Sequence, residues 1–306
     1  MHRIVVCAAL AATALAVSAG SALGCGSLVA ANGAVDLEHT TTLAAYHDGV
    51  EHYITSFSFE GDQASFGSIV PLPGRPTKVE RGGDWTLQRL EREIAPPVLE
   101  SAAAAPRAAE DKVEVLQQVR IDSLDVTILR GGGRAVARWA RENGFDLTQD
   151  TPDVLEFYSD RSPYFMAARF DASAAIDQGL ESGDGTPVHL TIPLDHPWVP
   201  LRILSTAMAD DYPVKADVFL LTDRKPSLLF GDGFSVERSE RASSSLLADL
   251  RADKGMEWMP DQMWFTYGRV NARAADVRLD LAIGLRGSSP DPVDLGVPSI
   301  LVSLFR

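Results

Sequence analysis

Six histidines and one cluster of glycines and arginines are the residues of this 306-residue chain whose spacing could do chemistry. The histidines are His2, His39, His47, His52, His189 and His196. Asp48-Gly49 between two β-prone runs signals a tight hairpin, because both central residues of that turn take positive φ. A two-residue turn sets His47 opposite Val50 and Ala45 opposite His52. Both imidazoles then share one sheet face, within reach of a common metal ion, and His47 and His52 are the candidate metal ligands. Spacing fixes no third ligand, whereas a tetrahedral catalytic site takes three. Surface histidines beside a hairpin tip explain the pattern equally well.

Asp195-His196 lies in a loop stiffened by Pro193, Pro197 and Pro200. A catalytic pair would want that rigidity, but adjacent side chains usually point apart, and no Gly-x-Ser-x-Gly elbow presents a nucleophile. Arg130, Gly132, Gly133 and Arg134 are candidate anion ligands, since a helix start after glycine offers free amides beside two cations. Solvated arginines balancing nearby acids are the plainer account. Val136 stands where a dinucleotide fingerprint has its third glycine, and the phosphate-loop lysine is missing, so no cofactor is expected. Glu181, Asp184, Asp210 and Asp211 lack the spacing of a calcium loop. No catalytic residue is assigned.

The elements that must hold these residues can be read in outline. A hairpin over residues 40–59 leads to a strand over 64–72 that exits through Pro71, Pro73 and Pro76. Asp84 should cap a short helix with the stripe Leu87, Leu90 and Ile94, ended by Pro96-Pro97. An Ala/Pro-rich connector follows at about residues 96–111. Strands at 113–121 and 125–129 precede a helix over 134–142 stopped by Asn143-Gly144, then a helix opened by Thr151-Pro152. Strands are expected at 164–170, 188–193, 201–207, 214–221 and 277–285, with one helix at 243–252. Met256, Trp258, Met259, Met263 and Trp264 gather large apolar side chains that read as a core plug. Short helices among mostly sequential strands predict an α+β fold with mixed, mostly antiparallel sheets.

Composition bounds the partners. Asp and Glu number 42 against 28 Lys and Arg, for a formal charge of −14. That balance argues against nucleic acid and against docking on anionic lipid. Residues 1–24 have a basic start, an apolar run over 4–17 and a small-residue end, the pattern of an export signal. Ala22-Leu23-Gly24 fits a peptidase site that releases a chain starting at Cys25, and the same stretch resembles a lipoprotein box acylated at Cys25. With Cys7 removed, one thiol remains, too few for a disulfide or a cysteine-held metal. No later apolar run reaches the length of a membrane-spanning helix, so any membrane tether would be lipid.

Three stretches together resemble the bacterial DUF2330 family. Phe66-Gly-Ser-Ile-Val-Pro-Leu-Pro73 resembles its F-x-W-x-x-P-x-P segment, with Ser68 at the tryptophan position. Residues 124–145, ending WARENGF, resemble its strand, helix and W-x-x-x-N-G-Y run, and Val199-Pro-Leu-Arg-Ile resembles its I-P-I-R-L strand. Cys25-Gly26 directly after a signal is also typical. The resemblance spans residues 25–229 and implies an exported bacterial domain of unknown function, with 230–306 as a C-terminal extension packed on it. The expected activity is non-catalytic binding of an envelope partner or small ligand. An envelope hydrolase with residues converging from distant loops, His189 or His196 among them, is the alternative.

Overall fold

The computed structural model describes residues 27–30, 36–60, 65–94, 114–171, 186–206, 208–285 and 287–297. The signal-like segment, Cys25, the connector at 96–111, Glu181 and Asp184 lie outside them. The fold grows from the hairpin of β2 (Asp36–His47) and β3 (Val50–Glu60). Its turn residues take the expected positive angles, φ 47° at Asp48 and 83° at Gly49. His47 pairs with Val50 and Ala45 with His52, the register that turn dictates.

Further strands add to both edges of the hairpin. Beyond β3 come β9 (Val188–Pro193) and β5 (Lys78–Arg81), both antiparallel. Beyond β2 come β11 (Pro213–Thr222), β14 (Trp264–Arg273) and β13 (Phe234–Arg241). The β2–β11 pair is parallel, while the other pairs of this seven-stranded sheet are antiparallel. A five-stranded antiparallel sheet runs β1 (Ser27–Ala30), β4 (Ser65–Leu72), β8 (Tyr164–Asp171), β7 (Leu124–Arg130), β6 (Glu114–Ile121). Three short strands, β10 (Trp198–Val199), β15 (Leu281–Gly284) and β12 (Ser227–Leu229), form a third. With four α-helices among the described residues, the fold is α+β: α1 (Thr86–Ile94), α2 (Gly133–Glu142), α3 (Thr151–Ser159) and α4 (Ser244–Ala252).

Alternation along the strands sorts the large sheet into two faces. Ala44, Tyr53, Leu190, Ile192, Val218 and Leu220 join one core with the five-stranded sheet, α2 and α3. Leu43, Ala45, Ile54, Phe219, Leu221, Phe265 and Tyr267 face the other way, against α1, α4 and Met256, Met259 and Met263. All three methionines are buried, as a core plug should be.

Three local expectations change. Of the strand expected over 201–207, residues 201–206 form none; Arg202–Ser205 is a 3-10 turn. There the amides of Leu201 and Arg202 donate to Asp280 Oδ1 at 2.8 and 2.9 Å, and that of Ile203 to the Tyr158 hydroxyl at 2.9 Å, so side chains take the place of a ladder. The strand expected over 277–285 shrinks to β15. Asp84 does not cap α1, because its carboxylate pairs with Arg81. Asp253, at the C-terminal end of α4, accepts instead from the amides of Asp84 and Trp85 at 3.0 and 3.1 Å and from the Thr86 hydroxyl at 2.7 Å. A Cβ on Gly83 would stand 2.0 Å from that carboxylate, so the close approach requires glycine.

Candidate functional site

β9 pairs with β3 so that His189 lies opposite Ile54 and Thr191 opposite His52. His52 and His189 are then diagonal neighbours on the helix-covered face. β5 sets Glu80 opposite His189 and Lys78 opposite Thr191. The result is a row of polar groups: Lys78 Nζ lies 2.6 Å from Glu80 Oε1, Glu80 Oε1 3.8 Å from His189 Nδ1, and His189 Nε2 2.9 Å from His52 Nδ1. The indole of Trp258 closes over the row, stacked on the His52 ring with centroids 3.7 Å apart and planes 6° from parallel.

The loop carrying Trp258 is held at its base. Asp253 ties the end of α4 to the start of α1, and Arg251 Nε donates to the Met259 carbonyl at 2.8 Å. Gly255 takes φ 83° where the loop passes His189; a Cβ there would sit 3.4 Å from its Nδ1. His189 is buried, and its Nδ1 has no hydrogen-bond partner.

Burial governs the charge of both rings. Desolvation, with His189, His47 and Lys78 adding repulsion, lowers the pKa of His52 to about 3. Desolvation lowers His189 to about 4 against the opposing pull of Glu80. Both imidazoles are therefore neutral near pH 7, the form that ligates metal or exchanges a proton without carrying charge.

His47 shares the face of His52 but takes other partners. Because β11 runs parallel to β2, the two strands end side by side, with Thr222 opposite Tyr46. Asp223 then reaches His47 Nδ1 at 2.6 Å, and Asp48 lies 3.6 Å from Nε2. His47, Asp48 and Asp223 can offer three ligand atoms within 4.8 Å of one another at the open hairpin tip. His196 and Asp195 are exposed in their loop, and the side chain of His39 lies outside the described residues.

At the start of α2 an anion is already in place, and it belongs to the chain. The Arg134 amide donates to Glu156 Oε2 at 3.1 Å and the Gly133 amide to Ser159 Oγ at 3.0 Å. α3 packs so close that a Cβ on Gly133 would stand 2.0 Å from the Glu156 nitrogen. Arg130 pairs with Glu114 at 3.2 Å in solvent.

On the opposite face of β3, Glu51 is fully buried with both carboxylate oxygens unpartnered, and desolvation raises its pKa to about 8. Sequence reasoning missed Glu51, Glu80 and the meeting of His52 with His189. Glu51 carried a readable signal, an acid whose strand neighbours Tyr53 and Thr55 are buried. The His52–His189 contact spans 137 positions and had none.

These features define an α+β domain of three sheets with a covered imidazole pair at one edge of the largest. The chain belongs to the DUF2330 family, described as an uncharacterized protein conserved in bacteria, whose sequence model matches residues 19–225. Strands β12 to β15 lie beyond that match, yet β13 and β14 complete the large sheet. No curated protein matches the chain. Among solved structures it is similar to the crystal structure of baculovirus P35, at 10% identity over 82% of this chain and 98% of that one, with a TM-score of 0.43. A mutated baculovirus P35 after caspase cleavage gives 9% identity, 80% and 99% coverage and a TM-score of 0.40. P35 in its complex with caspase-8 gives 10%, 84%, 98% and 0.38. No helix among the described residues is long and apolar enough to cross a membrane.

Proposed function

We propose that this chain is an exported binding domain of the cell envelope, which holds a small ligand or a partner at the His52–His189 pair without turning it over. The observation that carries the binding reading is the use of His189. Its Nε2 is spent on His52 and its Nδ1 is turned to Glu80, so neither nitrogen is presented to a substrate as a general base must be. An envelope hydrolase would need that histidine beside a nucleophile and an open pocket. The reading of export rests on residues 1–24 and on Cys25 that follows them, and the acidic charge of −14 suits a ligand other than nucleic acid or anionic lipid.

Native mass spectrometry on the chain recovered separately from the envelope and the medium of its host tests this reading. Loss of residues 1–24 is expected, with either a free Cys25 in the medium or a diacylglyceryl-sized increment on it in the envelope. A full-length chain found in the cytoplasm would remove the exported role. Turnover of generic ester or glycoside substrates that is lost on His189→Gln would replace binding by hydrolysis.

A further inference from the structure

We propose that His52 and His189 together hold a first-row transition-metal ion, copper in preference to zinc, between Nδ1 of His52 and Nε2 of His189. The inference rests on the reading of this cluster as a binding centre and names its ligand.

Two ring nitrogens from separate strands converge to 2.9 Å and share one proton. A cation ligated by two imidazoles takes the place of such a proton. Metal–nitrogen bonds of roughly 2.0–2.1 Å separate cis nitrogens by about 2.9 Å at the right angle of a tetragonal copper(II) site and by about 3.3 Å at the tetrahedral angle of zinc. Copper therefore needs the rings to turn with little parting, whereas zinc needs them to part by a few tenths of an ångström. His52 is only half-buried and can make that movement, while His189 is fixed in the sheet. With Nδ1 of His52 as the donor and Nδ1 of His189 carrying that ring's own proton, the displaced proton moves to Nε2 of His52, so both rings stay neutral.

The surroundings of His189 are those of an outer coordination shell. A ligating histidine ordinarily donates its other N–H to a carboxylate, which fixes the tautomer and orients the ring. Glu80 lies 3.8 Å from the buried, unpartnered Nδ1 and is itself paired with Lys78. Closing that gap by less than an ångström satisfies this nitrogen. Trp258 stacked on His52 shields one side of the pair, leaving the remaining coordination positions to water or an outside ligand. Two imidazole donors and no thiolate favour copper(II) at the top of the affinity order for divalent first-row ions. The oxygen-rich cluster of His47, Asp48 and Asp223 is the rival site, and the experiment must separate the two.

The purified full chain, stripped with chelator, is titrated with Cu2+ and with Zn2+ by calorimetry, and the one-to-one copper sample is examined by electron paramagnetic resonance. One copper ion per chain is expected, tighter than zinc, with hyperfine coupling from two imidazole nitrogens. His52→Gln should weaken uptake at least tenfold and abolish the two-nitrogen signal, and Glu80→Gln should weaken it about tenfold. Asp223→Asn should change neither, and circular dichroism verifies that each variant is folded. Failure to take up either ion, uptake that survives His52→Gln, or uptake lost in Asp223→Asn would each overturn the assignment. None of those outcomes touches the export result, which is read from the host fractions.

Discussion

Glu51 and His52 are adjacent in sequence and point to opposite faces of the large sheet, and the two faces treat a buried ionisable group in different ways. Glu51 has no partner and remains in the core by keeping its proton, its pKa raised to about 8. His52 has a ring beside it and a ring above it, and remains by losing its proton, its pKa lowered to about 3. Desolvation is the largest cause in both cases, and it disfavours whichever form is charged. One strand thus holds two groups whose pH dependences have opposite sign. Only the histidine face offers neighbours that could replace the lost proton with something else.

The largest test removes what holds the histidine face closed. Asp253→Ala strands two backbone amides and a hydroxyl at the start of α1 and should lower unfolding free energy by about 3–5 kcal/mol in urea titrations. The pH dependence due to Glu51 should survive it, since that group sits across the sheet; its disappearance would mean the faces are not independent.

Glu51→Gln sharpens the comparison from the other side. The folded pKa of this carboxyl lies above its unfolded value, so its contribution is fully favourable below about pH 4.5 and is lost as pH rises to about 8. Ionisation of the unfolded chain alone then weakens the fold by roughly 3 kcal/mol at pH 7, from 1.36 kcal/mol per pH unit. The variant should lack this decline when stability is measured between pH 5 and 8. An unchanged slope would place the charge elsewhere.

The smallest effect belongs to His52. Its folded pKa lies below the unfolded value, so stability is full above about 6.5 and falls as pH drops toward 3. Because the ring is part-exposed, His52→Gln should remove only about 1 kcal/mol of the loss seen at pH 5. A variant that loses stability equally at pH 5 and pH 8 would show that packing under Trp258, and not protonation, is what the ring contributes.

What could be read in advance follows from range along the chain. The hairpin, its register, the helix stop at Asn143-Gly144 and the buried methionines rest on local rules of turn geometry, capping and apolar content, and they stand as expected. At the helix start of Gly133 and Arg134 the Arg134 amide donates to Glu156, an acid supplied by the next helix. α1 shows the same shift, with its cap supplied by Asp253 and not by the adjacent Asp84. The imidazole pair depended on β9 lying beside β3 and on the short, charged strand β5, neither of which leaves a local pattern. β13, exposed along most of its length, has no counterpart among the expected strands.

The parallel seam between β2 and β11 bears on how the molecule comes to be folded. His47 and Asp223 meet across it from 176 positions apart. Until β11 has been synthesised, the β2–β3 hairpin has an unpaired edge along β2, whose side chains include Leu43 and Ala45. Pairings of such long range are slow, because a large loop must close before any contact rewards it. In the interval the open edge is a template for pairing with another chain. The yield on refolding should therefore fall as protein concentration rises.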